Sequence, residues 1–266
     1  QLAELLIAAE ESLYAENENK PGGWRGERAF KLVKRVDESA VITSFYFEPL
    51  DDKGVPHFEP GQFLTIILED VDGARLRRNY SLSDAPGSRY LRISVKREPD
   101  GAVSNHLHNK LYPGDTVKLT HPSGDFTLRK NNKPLVLLTG GVGITPAISM
   151  LNSEAGSGRE IRFIHAALDS NVHAFKEHVD QLASKHDHIS PLYVYSNPQE
   201  HCRPHATGFI SEALLAQQLP EDRDVELYFL GPVPFMRAAM KIAKNLGLPE
   251  SQVHYEFFGP SEELIA

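Results

Sequence analysis

The sequence predicts two domains in succession, an antiparallel β-barrel and then an α/β domain on a five-stranded parallel sheet, with a helix ahead of both. Three observations carry that expectation. From Trp24 to about Lys130 the residues alternate with period two between frequent Pro, Gly and Asp turns. After Asn132, apolar runs of strand length alternate with helical stretches. A glycine-rich corner, TGGVGITP (139–146), directly follows the first of those runs, PLVLL. The boundaries expected are 1–20 for the helix, 21–131 for the barrel and 132–266 for the α/β domain.

The opening helix places Leu2, Leu5, Leu6, Ala9, Leu13 and Tyr14 along one stripe. Such a stripe is expected to be covered, by this chain or by a segment outside it. The barrel strands are read at AVITSFYFEP, GQFLTIIL, RNYSLSD, YLRISVKRE and DTVKLTHP, with one helix among them at SNHLHNKL. In YLRISVKRE, Leu91, Ile93 and Val95 alternate with Arg92, Ser94 and Lys96, so one buried and one wet face are expected. In the second half the strands are PLVLLT, IRFIHAAL, SPLYVYS, VELYFLG and QVHYEFF. The helices between them start at TPAISM, AFKEHV, SEALLA and PFMRAA.

Bulk properties narrow the function. The chain has 266 residues, 41% hydrophobic and 24% charged, as ordinary globular proteins do. A net charge of −8 speaks against nucleic acid, whose phosphates demand a basic surface. No apolar run approaches the ~18 residues of a membrane span and no signal pattern stands at Gln1, so the cytoplasm is expected. A single cysteine, Cys202, leaves no internal disulfide.

Parallel sheets bind ligands beyond the carboxyl ends of their strands, where the strand order reverses. In the order 3-2-1-4-5, TGGVGITP and LGPVPFM would flank one crevice. Gly141 and Gly143 would let a pyrophosphate approach the backbone, and the helix opening at Thr145 offers unpaired N–H groups. Pro146 replaces the third glycine of G-x-G-x-x-G, and a first-turn proline loses no hydrogen bond. Taken alone, such a corner serves equally as a plain turn; Gly231-Pro232 in the second corner favours the nucleotide. In RNYS, Arg78 and Tyr80 share a strand face, where a guanidinium suits a diphosphate and a phenol ring suits a flat heteroaromatic. The same motif also reads as a surface arginine beside a core tyrosine. Gly101 and Ser104 in GAVSNHL stand at a helix start, either an anion site or a simple cap.

Together, RNYS, GAVSNHL, GDTVKLTHPSGDF, GGVGITP, LGPVPFM and HYEFFGP, in that order, resemble the ferredoxin–NADP reductase superfamily. Within it the likeness is to the reductase part of the flavohaemoglobins, the nitric oxide dioxygenases, and it covers essentially the whole chain. The stretch ESLYAENENKPGGWRGERAFKLVKR resembles that family's junction between the last globin helix and the flavin barrel. The resemblance implies a six-stranded FAD-binding barrel of the ferredoxin-reductase type, an NAD(P)-binding domain, and a helix left from a haem-bearing globin domain upstream.

It also implies roles. Arg78 would neutralise the FAD pyrophosphate, with Asn79 beside it; Tyr80 would stack on the isoalloxazine and Ser81 would sit near the flavin N5. Phe63 takes a position usually held by a flavin-contacting tyrosine. Gly101, Val103, Ser104 and Asn105 would meet the FAD phosphates through backbone N–H groups. Gly141, Val142, Gly143, Ile144, Thr145 and Pro146, with Gly231 and Pro232, would receive the NAD(P)H pyrophosphate. Phe257, Phe258, Gly259 and Pro260 would shield the flavin face where nicotinamide docks. Glu256 matches an acidic residue that tunes redox potential in the family, and also reads as a solvated carboxylate. Two departures stand out, Leu230 and Phe257, each where the family often has a cysteine.

The implied reaction takes hydride from NADH or NADPH and passes single electrons on, to haem iron in the intact protein. NADH is favoured, because ALDSNVH offers Asp169 and no arginine for a ribose phosphate, although Arg203 follows in a later loop. Rival readings are a stand-alone NAD(P)H-dependent flavin or ferric reductase and a non-catalytic nucleotide-holding module. His201, Cys202 and His205 have ligand-like spacing without a fourth ligand, so no metal is expected. His106 and His108 are expected at the surface.

Overall fold

The computed structural model describes residues 2–71 and 73–258 and resolves two compact units, one of residues 1–37 and 43–127, the other of 38–42 and 128–266. In the first unit, helix α1 (Leu2–Asn19) precedes strands β1 (Glu27–Asp37), β2 (Ile42–Pro49), β3 (Phe63–Val71), β4 (Ala74–Ser81) and β5 (Leu91–Lys96). Helix α2 (Ala102–Lys110) and strand β6 (Thr116–Thr120) complete it. The six strands form one antiparallel sheet in the order β4-β3-β6-β1-β2-β5. An antiparallel bridge from Leu82 to Ile93, supported by Ser83 N–H donating to Arg92 O at 2.9 Å, joins the two ends of that order. Closure removes part of the open edge that would otherwise invite pairing with another chain.

The barrel interior is packed by Phe30, Leu32, Phe45, Phe47, Leu64, Ile66, Ile93 and Val95, and α2 contributes Val103 and Leu107 to the same core. Trp24 is buried there too, its Nε1 donating to Leu119 O at 3.1 Å. The expected wet face of β5 is not wet: Arg92 and Ser94 are buried. Arg92 is held there by the Ser83 carbonyl and Tyr46 hydroxyl, and Ser94 bonds both Ser44 and Ser83 at 2.7 Å. Buried polar groups are tolerated where they are paired in this way. His108 is likewise buried rather than superficial, with Nε2 against Val95 O at 2.8 Å, while His106 is half-buried. No residue of α1 is buried, and Leu2, Leu5, Leu6 and Leu13 all stand exposed.

In the second unit, strands β7 (Leu135–Gly140), β8 (Ile161–Ala167), β9 (Ile189–Tyr195), β10 (Ala206–Thr207), β11 (Glu226–Leu230) and β12 (Val253–Tyr255) pair in parallel. Their order is β10-β9-β8-β7-β11-β12. Apart from β10, the other five follow the 3-2-1-4-5 order. The sheet nevertheless has six strands, not five. The extra one, β10, is a two-residue edge strand, too short to leave a periodic signal. Every residue of β7 is buried, as befits the central strand of a sheet covered on both faces. Helices α3 (Ile144–Glu154), α4 (Lys176–Lys185), α5 (Glu212–Ala216) and α6 (Val233–Asn245) fill the connections. The chain runs outward from β7 to β10 and then returns to β11, so the order reverses between β7 and β11.

Candidate cofactor sites

In the barrel, β4 pairs with β3 so that Leu76, Arg78 and Tyr80 stand opposite Leu68, Ile66 and Leu64. Opposed residues share a face of the sheet. Leu64, Ile66 and Leu68 lie in the core, and Leu76 and Tyr80 pack against it. Arg78 thus stands in an apolar row, yet it is exposed. Its Nη1 donates to Arg77 O at 2.7 Å, and among the described residues no carboxylate forms an ion pair with it. Arg75 differs, being paired with Glu27 and Glu69. Burial pushes the Tyr80 phenol up to about 12, which keeps its ring neutral. Asn79 accepts from Thr65 Oγ1 at 2.8 Å, and Ser81 is buried opposite Phe63.

Phe63 is half-buried; its amide and carbonyl bond Ser123 on both sides, and its ring lies where a Cβ on Gly124 would come within 3.0 Å. The PSGDF turn thereby fixes the ring. Helix α2 packs against β3 and β4 and opens at Gly101, which has no side chain to cap it. Ser104 does not cap either. Its hydroxyl accepts from Glu98 N at 3.2 Å and donates to Gly101 O at 3.1 Å. Asn105 Nδ2 donates to Glu98 O at 2.8 Å and Gly101 O at 3.0 Å. Both side chains shape the 98–101 turn and leave the first-turn N–H groups to a ligand. Val103 spends its side chain on the core, so only its backbone is available. One unit therefore gathers an unneutralised guanidinium, a neutral ring and an uncapped helix N-terminus, a donor set that fits a diphosphate joined to a flat ring system.

In the second unit, β7 leads through a 3₁₀ turn (Gly141–Gly143) into α3, which opens at Ile144, with Thr145 and Pro146 in its first turn. The four corner glycines have different reasons to be bare. Gly141 has φ +54, and a Cβ there would meet nothing within 4 Å, so its face is open to a ligand. A Cβ on Gly143 would lie 2.3 Å from Leu230 O, which locks this turn to the end of β11. Gly143 was expected to let a pyrophosphate approach, and its bareness also serves close packing against Leu230. Cβ atoms on Gly140 and Gly231 would come within 3.0 and 2.5 Å of the Phe235 ring. Phe235 had no role in the sequence reading, though its place three residues past Gly-Pro was the available signal. Val142 O accepts from Thr145 Oγ1 at 3.2 Å, and Pro232 caps α6 without a side-chain bond.

Beyond β12, Glu256 and Phe257 are half-buried, Phe257 packs on the core of this unit, and Phe258 is exposed. Gly259 and Pro260 lie outside the described residues. Tyr255 stacks on Phe229 with centroids 5.2 Å apart. Asp169 is buried, and its Oδ1 accepts from Asn171 N at 2.8 Å, so it shapes its own turn. His201 and Cys202 both reach Ser170 Oγ, whereas His205 Nδ1 accepts from Tyr193 N at 2.9 Å.

Comparison with known proteins agrees with this division. Residues 29–128 match the family model described as an oxidoreductase FAD-binding domain, and residues 137–241 match an oxidoreductase NAD-binding domain. A flavohemoprotein of Burkholderia sp. (strain TH2) is 51% identical over 265 residues, covering 99% of this chain and 67% of that protein. One from Pseudomonas putida is 52% identical, with 99% and 67% covered. The chain thus spans about two thirds of the length of these relatives. Among solved structures, the FAD/NAD-binding domain of a nitric oxide dioxygenase from Vibrio cholerae aligns with TM-score 0.81 at 33% identity, covering 88% of this chain and 99% of that one. A Malassezia yamatoensis flavohemoglobin with bound FAD and heme aligns with TM-score 0.83 at 25% identity, over 97% and 66%.

Proposed function

This chain belongs to the flavohemoprotein family and is an NAD(P)H-dependent flavoprotein oxidoreductase, and from that premise we propose how its residues serve the reaction. When bound, FAD supplies the conversion between a two-electron donor and one-electron acceptors. Arg78 neutralises its diphosphate, with the first-turn N–H groups of residues 102–104 as further donors. Tyr80 and Phe63 hold the ring system, and Ser81 and Asn79 line the same strand. Gly141 admits the nucleotide pyrophosphate at the N-terminus of α3, and residues 142–146, Gly231 and Pro232 frame that corner. Glu256, Phe257 and the residues after it act at the nicotinamide end. The division of labour follows the boundaries 21–131 and 132–266.

NADH is the donor proposed, since no lysine or arginine occupies the 167–173 turn and Arg203 Nη1 is engaged by the Glu200 and Cys202 carbonyls. The electron acceptor is the haem of a globin domain preceding this segment in the parent chain, which as a whole detoxifies nitric oxide in the cytoplasm. The exposed apolar residues of α1 support that placement over a stand-alone reductase.

The single observation that carries the flavin assignment is the Arg78 cation, which has no ion-pair partner among the described residues, in an otherwise apolar row. Purified chain reconstituted with FAD is expected to show a flavin spectrum and to reduce ferricyanide faster with NADH than with NADPH. Failure to take up FAD would overturn the assignment, and a preference for NADPH would overturn the choice of donor.

A further inference from the structure

Beneath α4, the sheet carries a polar row in place of the apolar residues usual for a buried parallel strand. Thr139, His165 and Tyr193 stand side by side on β7, β8 and β9. Thr139 Oγ1 lies 2.8 Å from His165 Nδ1 and 3.3 Å from Ile164 O, within hydrogen-bond distance of both. His173, from the segment after β8, lays its ring against His165 with centroids 4.5 Å apart and planes tilted by 34°. Its Nδ1 bonds Tyr195 Oη at 2.7 Å, and its edge meets Tyr193 at 4.6 Å. Both histidines are buried, and neither Nε2 has a hydrogen-bond partner among the described residues.

Two orphaned buried nitrogens are costly, and a phenyl ring would fill the space without them. What a phenyl ring cannot do is bond Tyr195. That bond ends the turn 167–173, which is fastened by further hydrogen bonds within itself and to neighbouring segments. Asp169 Oδ1 accepts from Asn171 N, Ala167 O and Leu168 O accept from Ser196 N and Asn197 N, and Asn171 O accepts from Ala40 N at 2.9 Å. Two residues past His173, Phe175 is held at φ +61, a left-handed backbone that a bulky residue adopts only when its surroundings impose it. The turn lies at the carboxyl end of β8, beside the Gly141 corner, where sheets of this order receive the adenosine half of a dinucleotide.

We propose that His173, clamped between His165 and Tyr195, is a positioning residue that presets the 167–173 turn for the adenosine half of the pyridine nucleotide. The proposal rests on the reading that this sheet edge binds NADH. A preset turn spares the ordering cost at the moment of binding, so its loss appears in affinity and not in turnover.

The test uses ADP-ribose as a probe of the adenosine half, competing against NADH in ferricyanide reduction by the FAD-loaded chain. In His173→Phe, the inhibition constant of ADP-ribose and KM for NADH are both expected to rise about tenfold, with the change confined to KM and not kcat. Tyr195→Phe, which removes a single hydroxyl, is expected to shift both constants the same way by a smaller factor. It decides the matter if His173→Phe fails to fold. An unchanged ADP-ribose constant in either folded variant would overturn the proposal. Absence of competition in the unmodified chain would instead remove the nucleotide-site reading on which it stands.

Discussion

The two candidate cofactor regions of this chain advertise themselves in opposite ways. On β4 the signal is an unmet need: a guanidinium with no counter-ion among the described residues, in a row of apolar neighbours, beside a helix N-terminus without a side-chain cap. At the β7 and β11 corners most of the signal is already spent within the protein. Gly143 is bare because Leu230 O occupies its Cβ position, and Gly140 and Gly231 are bare because Phe235 lies on them. Only Gly141 of the four keeps an open face. A glycine motif therefore marks a nucleotide corner partly by building it, whereas an unpaired charge in an apolar row points at the ligand itself.

That contrast can be broken by substitution. Gly143→Ala is expected to have the largest effect, because backbone and not a flexible side chain meets the new methyl group; a loss of about 3 kcal/mol or more in urea unfolding is predicted. A Gly143→Ala protein of unchanged stability would show that the corners are not locked together.

Acid should also act strongly, and on the same unit. Burial holds His165 well below the usual imidazole range and His173 down to about 3. Unfolded, both titrate near 6.5, so below that pH the unfolded chain binds more protons and folding weakens as pH falls. His173 contributes a slope approaching about 1.4 kcal/mol per pH unit between pH 6 and 4, and His165 adds to it in the same direction. Above about pH 8 neither contributes appreciable slope. Chemical denaturation followed across that range measures it, and a flat stability profile from pH 7 to 5 would contradict the buried neutral pair.

Gly141→Ala meets no clash and is expected to cost only about 1–2 kcal/mol for the left-handed backbone, while raising KM for NADH. A larger fall in stability than for Gly143→Ala would reverse the assignment of the two glycines. Smallest of all, Leu5→Gln with Leu6→Gln on the exposed face of α1 should leave stability within about 0.5 kcal/mol. A marked loss there would mean that this chain buries the helix.

Much of the fold was legible in the sequence, because both periods are long and clean. Period two located five of the six barrel strands, β1 being the one it missed, and the βα alternation gave the parallel sheet, whose 3-2-1-4-5 order had been assumed as the common one. The misses have local causes. β10 has two residues and no periodic signal. Arg92, Ser94 and His108 looked superficial by residue type, yet each found partners at long sequence separation. Arg78 and Gly141 stood out in the sequence as motif residues, and the structure leaves Arg78 exposed and the face of Gly141 open. The work done by Gly143, Phe235 and the His165–His173 stack was not, since it depends on contacts across strands that no local pattern encodes.

The account turns on Arg78, and an FAD titration comparing Arg78→Ala with Arg75→Ala tests it most directly. Arg75 lies three residues away on the same strand but is already paired with Glu27 and Glu69. Loss of a charge-assisted diphosphate contact predicts that Arg78→Ala weakens FAD binding about 100-fold and that Arg75→Ala changes it by less than about threefold. Equal effects of the two substitutions, or none from Arg78→Ala, would contradict the assignment of this strand to the flavin.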